Sequence, residues 1–270
     1  MSRLVASTRM YNVTPGVTLA WKRLLDIAAR QARVALDVME YPAPAPLSEL
    51  WARPDMGAVF MCGWPYRRSD PRPQIVAAPV PAEAGCTGPF YRTDMVVRAD
   101  SPHATLEDTF GGTIAWTDEG SHSGFNAPRR LLAGLRGDRA RLYTQRHGPV
   151  ITPRASAMSV IDGLADVAPL DSYFHTLLRR HEPQTATRLR VVARTECAPI
   201  PVLVAAPEAD PKLVVALGLA LEGIGSTSAG AELLEELCLE GFARVRDPEI
   251  YALTEAWDRA ARAAGYPVPG

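Results

Sequence analysis

The stretch best suited to chemistry runs from Ile114 to Leu132, where an apolar segment leads through a Gly/Ser-rich loop into a helix-like pattern. Backbone N–H groups at a helix start carry partial positive charge and point outward, so they form a ready site for an anion. Ser121 and Ser123 add hydroxyl donors, and His122 adds an imidazole donor whose charge depends on the local pH. Three or four charge-assisted hydrogen bonds of about 1.5–3 kcal/mol each suffice for micromolar binding of a tetrahedral oxyanion.

The same loop also fits a purely structural role. Ser123 or Asn126 suits the N-cap of the following helix. Gly120 and Gly124 suit the turn before it, and Pro128, which lacks an N–H group, suits the first helical turn. Spacing alone does not separate helix capping from anion binding, so both interpretations stay open at this point.

Other chemically capable residues lie outside this loop. Cys62, followed by Gly63 and Trp64, is a candidate nucleophile with His122 as its base, but thiol activation needs a lowered pKa that a sequence does not reveal. Asp171 fits a helix N-cap as well as a pocket carboxylate. The sequence contains no nucleophile elbow, Walker loop, zincin helix or GxGxxG fingerprint, and no cofactor or metal site is predicted.

Composition restricts the class of protein. The chain has 270 residues with 47% apolar and 22% charged side chains, which is ordinary for a globular protein of one or two domains. Its 29 basic and 30 acidic residues give a formal net charge of −1, which indicates neither a nucleic-acid partner nor an anionic membrane surface. Apolar stretches such as 213–221 are shorter than the roughly 20 residues of a membrane span, so the chain is not expected to be membrane-embedded.

The cysteines and the N-terminus bear on the cellular compartment. Cys62, Cys86, Cys197 and Cys238 form no CxxC pair, and buried free thiols fit them better than disulfides, although the even count allows both. The N-terminal residues show no apolar core of a signal peptide. The predicted location is therefore the periplasm if a leader was removed, and otherwise the cytoplasm.

Short apolar runs alternate with longer amphipathic segments, which is typical of an α/β fold. Strands at 4–7, 34–39 and 57–61 alternate with helices at 17–33 and 47–51, and this order predicts a parallel β-α-β-α-β unit. Further strands are predicted at 91–98, 113–116, 165–170, 188–194 and 202–205. Further helices are predicted at 125–135, 156–162, 172–180, 211–223, 228–240 and 248–264.

The Gly/Ser-rich loop resembles the Ser-x-Ser-Gly-aromatic-x-x-Pro motif of the PhnD-like family, the phosphate- and phosphonate-binding components of ABC transporters. Three further segments are similar to family segments in the same order: the aromatic-led stretch 91–101, the approach to the loop at 106–116, and 154–171, which ends in a pocket aspartate. The resemblance covers most of residues 1–205. Pro153 is a departure, because the family often has a histidine of the oxyanion site there.

This resemblance implies a type II periplasmic-binding-protein fold, with two lobes that each contain a mixed or parallel sheet flanked by helices, and a ligand cleft between them. Lobe one would be residues 1–92 with 188–270, and lobe two the inserted residues 93–187. The resemblance assigns the ligand oxygens to Ser121, His122, Ser123 and Gly124, the opposite wall to Tyr11, Gly63, Trp64 and Tyr91, and a ligand amine or hydroxyl to Asp171.

The predicted function is binding of a small tetrahedral oxyanion (phosphate, phosphite or phosphonate) as the substrate-binding component of an ABC transport system. Its expected partners are the ligand and an ABC permease, and no catalysis is expected. Two alternatives stay open. One is an enzyme on the same fold, similar to thiamine-pyrimidine synthases, with Cys62 and His122 in the cleft, and the other is a cytosolic ligand sensor.

Overall fold

A computed structural model describes residues 3–83 and 85–270 of the chain. These residues form two compact units. Unit 1 consists of the described residues of Met1–Phe90 together with Pro199–Ile250, and unit 2 consists of Tyr91–Ala198 together with Tyr251–Gly270.

The strands, in chain order, are β1 (Leu4–Ser7), β2 (Leu36–Val38), β3 (Met56–Met61), β4 (Gln74–Pro81), β5 (Phe90–Tyr91), β6 (Thr93–Arg98), β7 (Thr113–Ala115), β8 (Gln145–His147), β9 (Ala168–Asp171), β10 (Leu189–Arg194), β11 (Ala198–Pro199), β12 (Val202–Ala205) and β13 (Leu239–Ala243). The α-helices are α1 (Pro15–Ala32), α2 (Leu47–Trp51), α3 (Gly63–Arg68), α4 (Ala127–Leu135), α5 (Pro153–Ile161), α6 (Ser172–His181), α7 (Pro183–Ala186), α8 (Pro211–Glu222), α9 (Ser228–Glu236) and α10 (Ala252–Ala263). This alternation confirms the predicted α/β class. Within the described residues, no helix is both long enough and apolar enough to cross a bilayer.

Unit 1 is built on a six-stranded sheet with the order β13-β4-β12-β3-β1-β2. β1 pairs in parallel with both β2 and β3, which confirms the parallel arrangement predicted for the first sixty residues. β12 is antiparallel to β3 and β4, and β13 is antiparallel to β4. The sheet is therefore mixed, because strands from the C-terminal half of the chain complete it.

Helix α1 supplies much of the core of unit 1. The Trp21 ring on its buried face meets the Phe60 ring of β3 edge-on, with the ring centroids 5.3 Å apart. The helix begins at Pro15, slightly before the predicted start, because the Thr14 hydroxyl caps it by accepting a hydrogen bond from Val17 N at 3.1 Å. Proline at the first helical position loses no hydrogen bond.

Two elements of unit 1 differ from the sequence prediction. The sequence pattern does not predict β4, because Pro79 and Pro81 interrupt its apolar run, although both residues lie in register with β13. The helix predicted over 228–240 is wrong beyond Glu236. The chain reverses at Cys238, which has a φ of 53°, and continues as the half-buried edge strand β13 instead.

Unit 2 contains an antiparallel sheet with the order β10-β6-β9 and a parallel pair of β7 with β8. A bridge between Ile114 and Val167 connects β7 to the segment that leads into β9. The strand predicted over 91–98 is interrupted at Arg92, so that β5 pairs separately with β11. The apolar core of unit 2 contains Met95, Val97, Leu106, Ile114, Leu132, Leu142, Tyr143, Val167 and Tyr266.

The two compact units differ from the sequence-based lobes at 91–92, 188–198 and 251–270. Strand β10 pairs with β6 and therefore lies in the sheet of unit 2. Tyr266 packs into the core of the same unit, which brings the C-terminal segment with it. The functional division into lobes 1–92 with 188–270 and 93–187 stays a prediction.

The cysteines also differ from expectation. Cys86 and Cys197 are disulfide-bonded, whereas Cys62 and Cys238 are free thiols. The prediction of free thiols is therefore wrong for Cys86 and Cys197. Sequence spacing alone does not decide which cysteines of a chain are oxidised.

The tight packing of α8 against β4 predicts the effect of one substitution. A Cβ atom at Gly218 would lie 2.6 Å from the carbonyl oxygen of Val76, and a backbone atom has little freedom to move away. Gly218→Ala should therefore lower the free energy of unfolding by about 1–3 kcal/mol, although alanine favours the helix. Gly223→Ala is the matched control, because its Cβ would meet only Leu219 O at 3.5 Å. Urea unfolding followed by circular dichroism measures both, and equal midpoints would contradict the prediction.

Candidate functional site

The Gly/Ser-rich loop of unit 2 enters α4 through a π-helical turn at His122–Asn126. Asn126 N donates to Ser121 O at 3.1 Å, and Ala127 N donates to His122 O. The regular helix therefore begins at Ala127 rather than at the predicted residue 125. We call residues 121–126 the anion loop.

Ser121 is the N-cap of this turn, and the capping role suggested for Ser123 or Asn126 is wrong. The Ser121 Oγ atom accepts a hydrogen bond from Gly124 N at 2.9 Å. The N–H groups of His122 and Ser123 precede the first hydrogen bond of the turn and so lack an acceptor within it. The loop thus combines a satisfied cap with two backbone N–H groups that have no acceptor within the turn.

Two threonines hold the backbone of the anion loop. Thr93 on β6 donates its hydroxyl to Ser123 O at 3.0 Å. Thr117 lies so close to Gly124 that its Oγ1 atom occupies the space a Cβ atom would need there. Glycine at 124 is therefore required by this close approach, and the loop is positioned by the strand ends of unit 2.

His122 is buried, with only 1% of its surface exposed. Its Nδ1 atom lies 3.1 Å from Nδ2 of Asn126, and its ring lies 5.3 Å from the Trp257 ring at an interplanar angle of 30°. The Tyr91 ring lies 6.2 Å away on the same unit. Burial lowers the pKa of His122 to about 3, so the imidazole is neutral at physiological pH.

The C-terminal helix α10 contacts the anion loop through polar groups as well. Asn126 Nδ2 donates to Thr254 O at 2.7 Å, and Arg129 Nη2 donates to Asn126 Oδ1 at 3.0 Å. The fully buried Arg129 also forms an ion pair with Asp258, and its Nη1 donates to Pro267 O at 2.9 Å. Burial lowers the pKa of Arg129. Burial raises the pKa of Asp258, but the hydrogen bonds from Arg129 and Arg262 outweigh this effect and hold it below its usual value.

Asp171, the predicted pocket carboxylate, is the N-cap of α6. Its Oδ1 atom accepts hydrogen bonds from Tyr173 N at 2.9 Å and Phe174 N at 3.0 Å. The capping alternative raised for this residue is thus confirmed, while its role toward a ligand stays a prediction.

The predicted residues of unit 1 are buried. Tyr11 packs edge-on against Phe60, with 5.0 Å between the ring centroids. Gly63 is the first residue of α3, and the guanidinium group of Arg68 lies over the Trp64 ring, 5.3 Å from its centroid. These contacts are the core packing that aromatic residues commonly provide, and a role toward a ligand stays a prediction for all three.

A family model for the periplasmic substrate-binding proteins of phosphonate ABC transporters matches residues 47–250 of the chain, which is about three quarters of its length. The chain belongs to this family. No curated protein sequence matches the chain. The enzyme alternative with Cys62 and His122 has no support from the family, whose members are binding components of transporters.

Solved structures confirm the periplasmic-binding-protein fold. A binding protein component of an ABC phosphonate transporter from Pseudomonas aeruginosa is 16% identical with a TM-score of 0.81, over 98% of this chain and 88% of that one. PhnD1 of Prochlorococcus marinus, in complex with methylphosphonate, is 13% identical with a TM-score of 0.77, over 96% and 98%. A Xanthomonas citri protein bound to ATP is 20% identical with a TM-score of 0.68, over 98% of each chain.

The departure from the family motif at Pro153 has a structural explanation. Pro153 occupies the first position of α5, and Thr152 caps this helix by accepting a hydrogen bond from Ala155 N at 3.0 Å. A proline there contributes no side-chain donor, so residue 153 does not supply the donor that the resemblance leads one to expect.

Sequence reasoning missed several polar contacts of unit 2. Trp257 and Asp258 were not predicted to lie near the loop, because no sequence signal pairs a loop with a segment about 130 residues away. His175 is buried, and its Nδ1 lies 2.7 Å from Asp94 Oδ2. Among the described residues, no cluster of three or more His, Cys, Asp or Glu side chains could hold a metal ion.

The lowered pKa of His122 predicts how stability depends on pH. The unfolded chain binds a proton on this residue near pH 6.5, while the native protein does so only near pH 3. Stability from the neutral histidine is therefore present above pH 6.5 and is lost as the pH falls toward 3, by up to about 1.4 kcal/mol per pH unit. Urea unfolding between pH 7 and 4 should show a shallower decline for His122→Gln than for the wild type. Parallel curves would contradict the buried neutral histidine.

Proposed function

We propose that this protein binds a small phosphorus oxyanion of the phosphate, phosphite or alkylphosphonate class and presents it to an ABC permease. The observation that carries the proposal is the anion loop, in which the N–H groups of His122 and Ser123 lack an intrahelical acceptor at the start of α4. Such groups attract an anion through hydrogen bonding and through the helix dipole together. The membership of the chain in the phosphonate-binding family supports the same ligand class.

The ligand class can be narrowed by chemistry. Methylphosphonate in the Prochlorococcus marinus structure and ATP in the Xanthomonas citri structure share tetrahedral phosphorus with terminal oxygens. Hydrogen bonds from neutral donors to a charged oxygen contribute about 1.5–3 kcal/mol each. We therefore expect this chain to bind the phosphorus head group, and ATP belongs in the test as the large member of the class.

A thermal-shift and calorimetry panel tests the proposal directly. The panel contains phosphate, phosphite, methylphosphonate, 2-aminoethylphosphonate and ATP, with sulfate and acetate as other anions. A ligand present at 100 times its dissociation constant adds about 2.7 kcal/mol, which raises the melting temperature of a chain of this size by roughly 5–10 °C. A shift with phosphorus oxyanions supports the proposal. A flat response across the panel, confirmed by calorimetry, would rule it out.

Two serine variants separate the structural and the binding roles of the loop. Ser121→Ala removes the cap on Gly124 N and should lower the free energy of unfolding by about 0.5–2 kcal/mol. Ser123→Ala keeps this cap and should leave stability unchanged, while weakening binding of the best phosphorus oxyanion about tenfold or more. Urea unfolding and calorimetry measure the two effects. If the Ser123→Ala variant binds with unchanged affinity, the Ser123 hydroxyl does not contact the ligand.

We also propose that the protein is located in the periplasm and that a permease is its partner there. The disulfide-bonded Cys86 and Cys197 support an oxidising compartment, since cytosolic disulfides are rare. After cell fractionation, the native protein should be found in the periplasmic fraction with two alkylatable thiols when denatured without reductant and four after reduction. A cytosolic protein with four reduced thiols would contradict the proposal and favour the sensor alternative.

A further inference from the structure

A chain of buried hydrogen bonds links the C-terminal segment to His122. Asp258 pairs with Arg129, Arg129 Nη2 donates to Asn126 Oδ1, and Asn126 Nδ2 lies 3.1 Å from His122 Nδ1. Arg129 and Asn126 are fully buried, and His122 nearly so. Each link is therefore protected from water, and the direction of each hydrogen bond is set by its neighbours rather than by solvent.

Two neighbouring groups fix the orientation of the Asn126 amide, because one can only donate a hydrogen bond and the other can only accept one. A guanidinium group only donates, so the atom beside Arg129 must be the amide oxygen. A backbone carbonyl only accepts, so the atom 2.7 Å from Thr254 O must be the amide nitrogen. The reversed amide would set donor against donor and acceptor against acceptor. Asn126 therefore directs its second N–H toward His122.

This orientation selects one tautomer of the imidazole. Because Asn126 Nδ2 donates to His122 Nδ1, that ring nitrogen must carry a lone pair, and a neutral ring then carries its proton on Nε2. Nε2 lies on the ring edge that points away from Asn126. It is buried and has no hydrogen-bond partner within residues 3–83 and 85–270. The loop therefore contains a buried, unsatisfied side-chain N–H donor on His122.

We propose that Arg129, Asn126 and Asp258 are positioning residues that hold His122 as a neutral Nε2–H donor, and that this donor receives an oxygen of the bound oxyanion. The inference rests on the proposed function. It adds that His122 Nε2 is the donor in one hydrogen bond to the ligand. A buried donor without an acceptor is destabilising, and a ligand oxygen removes this defect on binding. The Trp257 ring, tilted by 30° and 5.3 Å away, packs against the imidazole and restricts its rotation.

The tautomer is measured without any ligand. Long-range proton–nitrogen NMR of histidine-labelled, full-length protein at pH 7 distinguishes a protonated from an unprotonated ring nitrogen. The chain has five histidines, and His122→Gln identifies the signals of this one by their loss. We expect His122 to be neutral with its proton on Nε2. A proton on Nδ1, or a doubly protonated ring, would overturn the positioning by Asn126.

The ligand contact is measured with methylphosphonate and inorganic phosphate as probes. The Nε2 proton of His122 should shift on saturation with the tighter probe. His122→Gln, whose amide nitrogen can reach the place of Nε2, should bind within about threefold of the wild type, whereas His122→Leu should lose about tenfold or more. Equal affinity in both variants together with an unmoved proton signal would overturn the contact.

The positioning role is tested by replacing the hydrogen-bond donor at residue 126. Asn126→Asp offers only acceptors to the ring, which favours the proton on Nδ1 and turns Nε2 into an acceptor that repels an oxyanion. We expect the tautomer to invert and the affinity to fall at least tenfold. Arg259→Gln is the control, because Arg259 lies on α10 in an exposed pair with Glu255 outside this chain of bonds, and it should change neither quantity.

Two further results keep the inference separate from the proposed function. If Asn126→Asp does not fold, Asn126→Ala still tests the role, since it leaves Nδ1 without a donor and should produce a mixture of tautomers. If His122 in the Asn126→Ala variant still shows a single tautomer with its proton on Nε2, Asn126 does not select the tautomer and its positioning role is overturned. If the wild type binds neither probe nor any other member of the panel, the proposed function and the ligand contact fail, whereas the tautomer measurement still confirms or refutes the positioning.

Discussion

The guanidinium group of Arg129 is buried at the start of α4, where it keeps its charge but has lost its water. A cation in this environment is stable only when anionic and polar acceptors surround it closely. Asp258 and Pro267 O supply two of them from the C-terminal segment, and Asn126 Oδ1 supplies another from the anion loop. The loop and the last twenty residues of unit 2 are therefore obliged to fold together, and the geometry of the candidate site depends on that requirement.

Much of the fold could be predicted because it is determined locally. The strand at 4–7 and the helix at 47–51 are found at the predicted residues, and β1 pairs in parallel as expected. Each reflects apolar periodicity that a short stretch carries by itself. Elements whose identity depends on distant partners were missed. β4 contains prolines that only its place in the sheet accommodates, and the helix predicted over 228–240 runs into the first two residues of β13.

The candidate site likewise has features that could be predicted from local sequence and features that depend on distant residues. The anion loop was found from its own glycine, serine and histidine residues, since the start of a helix has a local signature. The sequence pattern favours Ser123 or Asn126 as the cap, whereas Ser121 provides it, because the π-helical turn shifts the hydrogen bonding by one residue. The Trp257 ring beside His122 and the Thr254 carbonyl that accepts from Asn126 could not be predicted, because both lie more than 125 residues further along the chain. Sequence patterns thus locate the donors of this site but not the groups that orient them.

The π-helical turn also bears on how the loop tolerates changes in length. Its hydrogen bonds span five residues instead of four, so the turn contains one residue more than an α-helical turn would. Five residues of a π-helical turn and four residues of an α-helical turn rotate the chain by nearly the same angle. Removing one residue between 122 and 126 would therefore leave α4 in phase, with Arg129 still facing Asp258, but it would remove one of the positions that carry the loop's polar groups. The loop can thus gain or lose one residue at the candidate site without disturbing the buried ion pair beside it.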